Sequence, residues 1–427
     1  MTTYHNRMLG DSRVSKMVEK ANVFEETTKV LARKLGLKSE EVSALADVSL
    51  KSSKLGSMFS EDEEQKTCSC AQKYREFDGT CNRLQSPKDG SAFTCLTRLL
   101  PAKYADGISE PRKAKSGRDL PNPRLVSTTI HTDQNREAFF THFLMVWGQI
   151  MDHDSALAPF NSAPEEEVIL GDGAERMDCC DSEHINDTRC LPIEIPQDDQ
   201  FFSQFNERCM NFRRSASCPK CSLGPRDQLN SPTSFVDGSI IYSLMRFQRD
   251  SERNVILPRS RNARGDLCSD PGNRLFCFDA GDRRLNEHPA LTALHTIFIR
   301  EHNRIARELR RINPCWNDER LFQEARRIVI AEIQMITYNE FLRLVVGPYY
   351  HQRFLLRTLR DGFFTAYNPN INPAMINEFT SACFRFGHST SQGSFTEIPS
   401  SGNPTSFKLQ NNFFHPFGLY QGDLRKK

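Results

Sequence analysis

Asp152, His153 and Asp154 follow one another directly after the apolar run AFFTHFLMVW and the link GQIM. Burying an unpaired charge is costly, so three adjacent ionisable groups in a core segment need a chemical reason. At a solvated helix end they need none. A helix turns by about 100° per residue, so the three cannot face the same way. Gln149 stands one turn before His153 and shares its face. One helix would therefore aim Gln149 and His153 at one place, with Asp152 beside them, and Asp154 at another.

The stretch SPTSFVDGSIIY, residues 231–242, suggests what the other place is. Thr233, Phe235, Asp237 and Ser239 alternate, which puts them on one side of an extended loop. Three of them carry side-chain oxygens, and Phe235 can offer its backbone carbonyl. Calcium takes about six to eight oxygen ligands, and such a loop needs one carboxylate from outside. Asp154 is the natural candidate. The same alternation also fits an ordinary half-buried strand.

Four segments then occur in a fixed order: GQIMDHD, TSFVDGS, AGDRRLNEHPALTALHTIFIREHNR and FRFGHS. Together they resemble the animal haem peroxidases, over about residues 67–427. The resemblance implies haem b, one calcium ion, hydrogen peroxide as oxidant, and a halide or small phenolic or organic donor. An extracellular-matrix protein is a further partner compatible with it. Cleaving a peroxide O–O bond needs a base, an acid and a positive group. His153 matches the distal histidine that performs both proton steps, for which an imidazole titrating near neutrality is suited. Arg284 matches the distal arginine, a permanent cation aimed at developing negative charge. Arg283 is its rival, and the spacing to Glu287 favours Arg284. Gln149 matches the distal glutamine that holds water or a halide near His153.

The resemblance also makes His388 the proximal iron ligand and pairs Arg385 with a haem propionate. Asp152 and Glu287 match carboxylates that esterify haem methyl groups, which would remove the buried charge. Some members form a third link through a methionine where this sequence has His288, so two ester links at most and no sulfonium bond are expected. Members of the family continue through further helices after the part matching FFHPFGLYQGD. These carry an asparagine bonded to the proximal histidine and another propionate arginine. The present sequence ends in LRKK with neither. A second expectation therefore stands beside the peroxidase: a truncated, catalytically inactive homologue acting as a binding or interaction module.

The elements that must position these residues are mainly α, with little β. Residues 1–66 read as a helical or partly ordered extension, with apolar Val23, Phe24, Val30, Leu31, Leu35, Val42, Leu45 and Ala46 at roughly helical spacing. Residues 67–427 would form the peroxidase domain, incomplete at the C-terminus. Within it, 105–128 read as a long surface crossing. Residues 136–153, 289–313, 319–346 and 372–390 read as helices, and 160–232 as Cys- and Pro-rich loop. Pro289 suits a first turn.

The chain has 427 residues and a formal net charge of +2, so bulk charge points to neither nucleic acid nor membrane. No apolar run is long enough to span a bilayer. Fourteen cysteines and the sequon Asn186-Asp187-Thr188 suit an oxidising, extracellular setting, although no signal peptide stands at the N-terminus. The resemblance places disulfides at Cys68–Cys81 and Cys268–Cys277, and two more among Cys179, Cys180, Cys190 and Cys209. CPKC at 218–221 has the spacing of a zinc half-site, but no second pair completes it. Cys315 and Cys383 stand alone and read as free thiols.

Overall fold

The computed structural model describes residues 12–43, 45, 48–56, 67–131, 139–160, 177–242, 248–249, 255–256, 278, 280–398 and 401–413. Helices dominate: α1 (Ser12–Leu35), α2 (Ser39–Ser43), α3 (Pro123–Ile130), α4 (Phe143–Ser155), α5 (Ser239–Tyr242), α6 (Pro289–Ile312), α7 (Asp318–Ile336), α8 (Leu342–Val345), α9 (Gly347–Arg353) and α10 (Asn377–Ser381). The described strands are short. They form four antiparallel pairs: β1 (Thr94–Cys95) with β4 (Leu229–Asn230), β2 (Ile193–Glu194) with β3 (Cys209–Met210), β5 (Gln248–Arg249) with β6 (Val255–Ile256), and β7 (Ser394–Glu397) with β8 (Thr405–Lys408).

The core is built on α4, α6 and α7. α4 buries Met145, Val146, Trp147, Ile150 and Met151, and then its ionisable end as well. A helix buried on every side lies at the centre of a fold. Trp147 anchors it, donating from Nε1 to Thr337 Oγ1 at 3.2 Å. α6 starts at Pro289 and is capped by His288, whose ring accepts from Leu291 N. Its buried stripe, Leu291, Leu294, His295, Phe298, His302 and Ile305, follows helical spacing and packs on α7. α7 is capped by Asn317, which accepts from Arg320 N, with Asp318 and Glu319 in its first turn.

Two helix assignments and one loop assignment read from the sequence change. The helix expected over 319–346 continues past Ile336, but through a π-helical turn at Thr337–Phe341. Thr337 Oγ1 bonds back to Ile333 O there while it receives Trp147, so a packing contact coincides with the widened turn. The helix expected over 372–390 is broken. α10 ends at Ser381, and Cys383–Thr390 is a 3-10 segment. Thr380 and Ser381 hydroxyls both donate to Asn377 O, and Arg385 Nε donates to Thr380 O. These side chains occupy carbonyls that a continuing α-helix would use. The crossing expected over 105–128 ends instead in α3, nucleated by Asn122, which accepts from Arg124 N and Leu125 N, followed by Pro123.

α1 lies against the rest of the chain rather than apart from it. Val14 and Val18 pack with Ala216, Cys218 and Leu229, and Glu25 pairs with Arg226 at 3.4 Å. Its buried line is Val14, Val18, Ala21, Phe24 and Ala32, whereas Val30 and Leu35 are exposed. Disulfides join Cys68–Cys81, Cys95–Cys218, Cys179–Cys190 and Cys180–Cys209. The bond to Cys95 takes one thiol of CPKC and leaves no zinc half-site. Cys315 and Cys383 are free and exposed. The Cys268–Cys277 pairing lies outside the described residues.

Candidate functional site

The C-terminal end of α4 is where the sequence-derived residues meet. Asp152, His153 and Asp154 are 8%, 3% and 0% exposed, so the solvated-end reading does not hold. Helical rotation sends them to different neighbours.

Asp154 turns to the loop before α5. Its carboxylate accepts from Asp237 N and Gly238 N at 3.1 Å on one oxygen. The other oxygen accepts from Ser239 Oγ at 3.1 Å and Ile240 N at 3.2 Å. Thr233 Oγ1 donates to both Asp237 oxygens at 3.0 Å. Residues 233–238 form a loop, not the half-buried strand that also fitted the alternation. Phe235 lies in this loop with its ring against Gly90, where an added Cβ would come within 3.0 Å of the ring and where φ is +74°. Two buried carboxyls thus share one small polar nest. Burial raises Asp154 to about 7, helped by repulsion from Asp237, and burial raises Asp237 to about 6. This donor set of two carboxyls and two hydroxyls fits a hard cation with oxygen ligands.

Asp152 and His153 line a cavity of about 1190 Å³, together with Gln149, Arg284, Glu287, Arg385 and His388. His153 Nε2 lies 3.6 Å from Glu287 Oε2, near but beyond hydrogen-bond length. Burial drives the His153 ring well below its ordinary value, and the Arg284 cation adds to that, so the imidazole is neutral near pH 7. Glu287 is raised to about 7 by burial against the pull of Arg284. Gln149 bridges its neighbours: its Nε2 donates to Glu287 Oε2 at 2.8 Å, and its Oε1 meets His288 Nε2 at 2.6 Å.

Arg284 sits behind His153 and is 6% exposed. Its guanidinium donates to Ala156 O at 3.1 Å, His153 O at 3.2 Å and the Asp282 carboxylate at 2.5 Å, with Asp152 3.9 Å away. Arg284 holds the Asp282 carboxyl down at about 2 despite burial. Motif reading left out Asp282 and read His288 only as the residue standing where a methionine link would be. The signal was present: Asp282 precedes Arg284 by two residues at the start of a 3-10 turn, and His288 directly precedes Pro289 at a helix start.

The Cys383–Thr390 segment packs against α4 and brings His388 and Arg385 to the same cavity. His388 is exposed, and what burial it has lowers its ring below the ordinary value, with Arg385 next. Arg385 reaches Asp152 at 3.6 Å while its Nε donates to Thr380 O. Asp152 is raised by burial, with Arg284 and Arg385 opposing, and its Oδ1 is buried without a hydrogen-bond partner. His153 Nδ1 is likewise unpartnered. A roomy cavity lined by two imidazoles, two carboxyls and a buried guanidinium fits a haem group.

Comparison with known proteins agrees. The family model for animal haem peroxidase matches residues 74–426. Chorion peroxidase of Drosophila melanogaster is 37% identical over 350 residues, covering 75% of this chain and 42% of that protein. Human peroxidasin homolog is 35% identical, covering 82% of this chain and 25% of its own length. Human eosinophil peroxidase is 37% identical, covering 83% and 52%. The chain thus spans about half or less of the length of these relatives. Among solved structures, peroxidase A from Dictyostelium discoideum superposes with a TM-score of 0.59 at 26% identity, over 82% of this chain and 66% of that one. A rice fatty acid alpha-dioxygenase shares the fold at a TM-score of 0.53 and 16% identity. By matched length, residue pattern and fold, the chain belongs to the animal haem peroxidase family.

Proposed function

We propose that this chain forms the catalytic core of a haem peroxidase that reduces hydrogen peroxide and oxidises a halide or a small phenolic or organic donor. The observation that carries the reading is the buried, neutral His153 on the wall of a cavity that His388 also lines, with Arg284 directly behind it. Haem bound between these walls would supply the electrons that peroxide takes. His388 is the residue that would hold its iron, and Arg385 one that would pair a propionate. His153, kept neutral by burial, accepts the peroxide proton at Nε2 and returns it to the departing oxygen. Arg284 contributes fixed positive charge beside that transfer. Gln149 orients the small ligand. Asp152 and Glu287, both raised by burial and Glu287 to about 7, are the groups suited to ester links with haem.

Calcium would be held by Asp154, Thr233, the Phe235 carbonyl, Asp237 and Ser239. Its role is mechanical: it ties the end of α4, and so His153, to a rigid loop. Residues 67–427 act as the peroxidase unit, with α1 clamped on its surface. The four disulfides among the described residues and an exposed Asn186 in a glycosylation sequon fit a secreted protein, with a matrix protein as a compatible partner. Among the described residues no helix is long and apolar enough to cross a membrane.

The test is an absorption spectrum of the chain loaded with haem and calcium, before and after hydrogen peroxide. A Soret band whose peroxide-induced shift is lost in His153→Ala, and which is itself lost in His388→Ala, supports the assignment. A band insensitive to both substitutions refutes it and leaves the chain as a binding module.

A further inference from the structure

His288 is 2% exposed and stands where the family resemblance offers a methionine. Its ring is held from both sides. Nδ1 accepts from Leu291 N at 3.4 Å, capping α6, which leaves the ring proton on Nε2. Nε2 in turn lies 2.6 Å from Gln149 Oε1. A carbonyl oxygen can only accept, so this contact is a donation from His288 to Gln149. The Gln149 amide is thereby fixed in one of its two orientations. Its oxygen is taken, and its nitrogen faces Glu287 Oε2 at 2.8 Å. That same Glu287 oxygen is the one 3.6 Å from His153 Nε2. Gln149 lines the cavity, and an amide nitrogen carries two protons, of which Glu287 uses one.

We infer that His288 is a positioning residue: it sets the orientation of the Gln149 amide, so that the cavity meets a hydrogen-bond donor at position 149, never an acceptor. The consequence is a preference for ligands that accept hydrogen bonds, such as small anions or a peroxide oxygen, over ligands that only donate. A side chain without a donor at 288 would free the amide to flip. Its oxygen would then face the Glu287 carboxyl in part of the population, and Glu287 would lose its donor. His142 and His153 are titratable side chains that interact with His288, and the Phe395 ring packs against His142 and His288, with centroids 4.4 Å from His142 and 6.3 Å from His288. Among the described residues only Gln149 is bonded to His288 Nε2.

The hydrogen-bond part stands without haem, whereas the ligand preference rests on the proposed peroxidase reading. Two readouts separate them. In the full chain labelled with 15N-histidine, His288 should show the Nε2–H tautomer with a proton protected from exchange, and its signal should move in Gln149→Leu. A Nδ1–H tautomer, or a charged ring at pH 7, would overturn the inference. In the haem-loaded chain, thiocyanate affinity from difference spectra should fall about tenfold in His288→Met, the factor expected for losing a hydrogen bond to a charged ligand. His288→Gln, which keeps a donor, should restore it. Equal affinity in wild type and His288→Met sinks the claim. If the wild type gives no thiocyanate difference spectrum, the haem-site reading fails, and the tautomer alone still decides what His288 does.

Discussion

Replacing Asp282 by Asn tests how the buried cation of the site is held. The change is isosteric and removes one charge from beneath Arg284. The Arg284 guanidinium would keep two carbonyl acceptors, His153 O and Ala156 O, and lose its hydrogen-bonded carboxylate, with Asp152 left 3.9 Å away. Asp282 is held at about 2 against an ordinary 3.8, a shift on the order of 2 kcal/mol at roughly 1 kcal/mol or more per unit. Breaking a buried ion pair from one side costs about 3–5 kcal/mol in general. The expected loss is therefore about 3 kcal/mol at pH 7. Urea unfolding followed by tryptophan fluorescence reads it locally, because buried Trp147 lies on the helix that Arg284 touches. The pH arm has a defined sign. A depressed carboxyl contributes stability above its unfolded value and loses it as pH falls through the folded value. The difference between wild type and Asp282→Asn should be flat from pH 5 to 8 and shrink between about pH 4 and 2. In an Arg284→Gln background the cost should drop by about 2 kcal/mol. A cost below about 1 kcal/mol, or one unchanged down to pH 2, would show that Asp282 is not the counter-ion.

Three further expectations follow from the same geometry. Asp154 and Asp237, raised to about 7 and about 6, make the metal-free chain progressively less stable as pH rises from about 4 through 7, and calcium should reverse this by binding the ionised forms. The calcium-induced rise in melting temperature over an EDTA control should thus grow between pH 5 and 8; a pH-independent rise would refute a site at this pair. Cys95 and Cys218 are 123 residues apart, so replacing both by Ser should cost about 5 kcal/mol by loop entropy in urea titrations, and a loss under about 2 kcal/mol would show that the denatured chain is compact there. Glu25→Ala leaves Arg226 buried without its carboxylate and should loosen α1, which limited proteolysis would report as earlier cleavage within 12–35. Unchanged cleavage would mean that the apolar contacts of Val14 and Val18 hold the helix alone.

The sequence was most legible where chemistry forced several residue types into one short stretch. GQIMDHD and TSFVDGS could be paired before any contact was known, because Asp154 had to point away from His153 on a helix. It was less legible where side chains decide backbone form. The break at Ala382 depends on Thr380, Ser381 and Arg385 capturing carbonyls, which a hydrophobic pattern does not register. The stripe of α1 was also misplaced: Val30 and Leu35 fit a helical spacing, yet the line that meets Ala216 and Leu229 starts from Val14 and Val18. Spacing finds a helix, but what covers it lies some 200 residues away. The Cys95–Cys218 bond was hidden for the same reason.

Arg284 explains how three ionisable residues can be buried in succession on α4. Its guanidinium donates to His153 O and Ala156 O, two carbonyls at the C-terminal end of that helix, where the helix dipole is negative. It therefore caps α4 as well as facing Asp152, and its own charge is balanced by Asp282. The carbonyls it binds belong to residues on either side of Asp154, the carboxylate that grips the 237–240 loop. One side chain thus joins the cavity wall to the loop assigned to calcium. Arg284→Lys keeps the charge but cannot span two carbonyls and a carboxylate with one ammonium. Thermal melts should then show weaker calcium stabilisation even though no residue of the loop has changed. Full calcium stabilisation in Arg284→Lys would mean that the end of α4 is held by Asp154 alone.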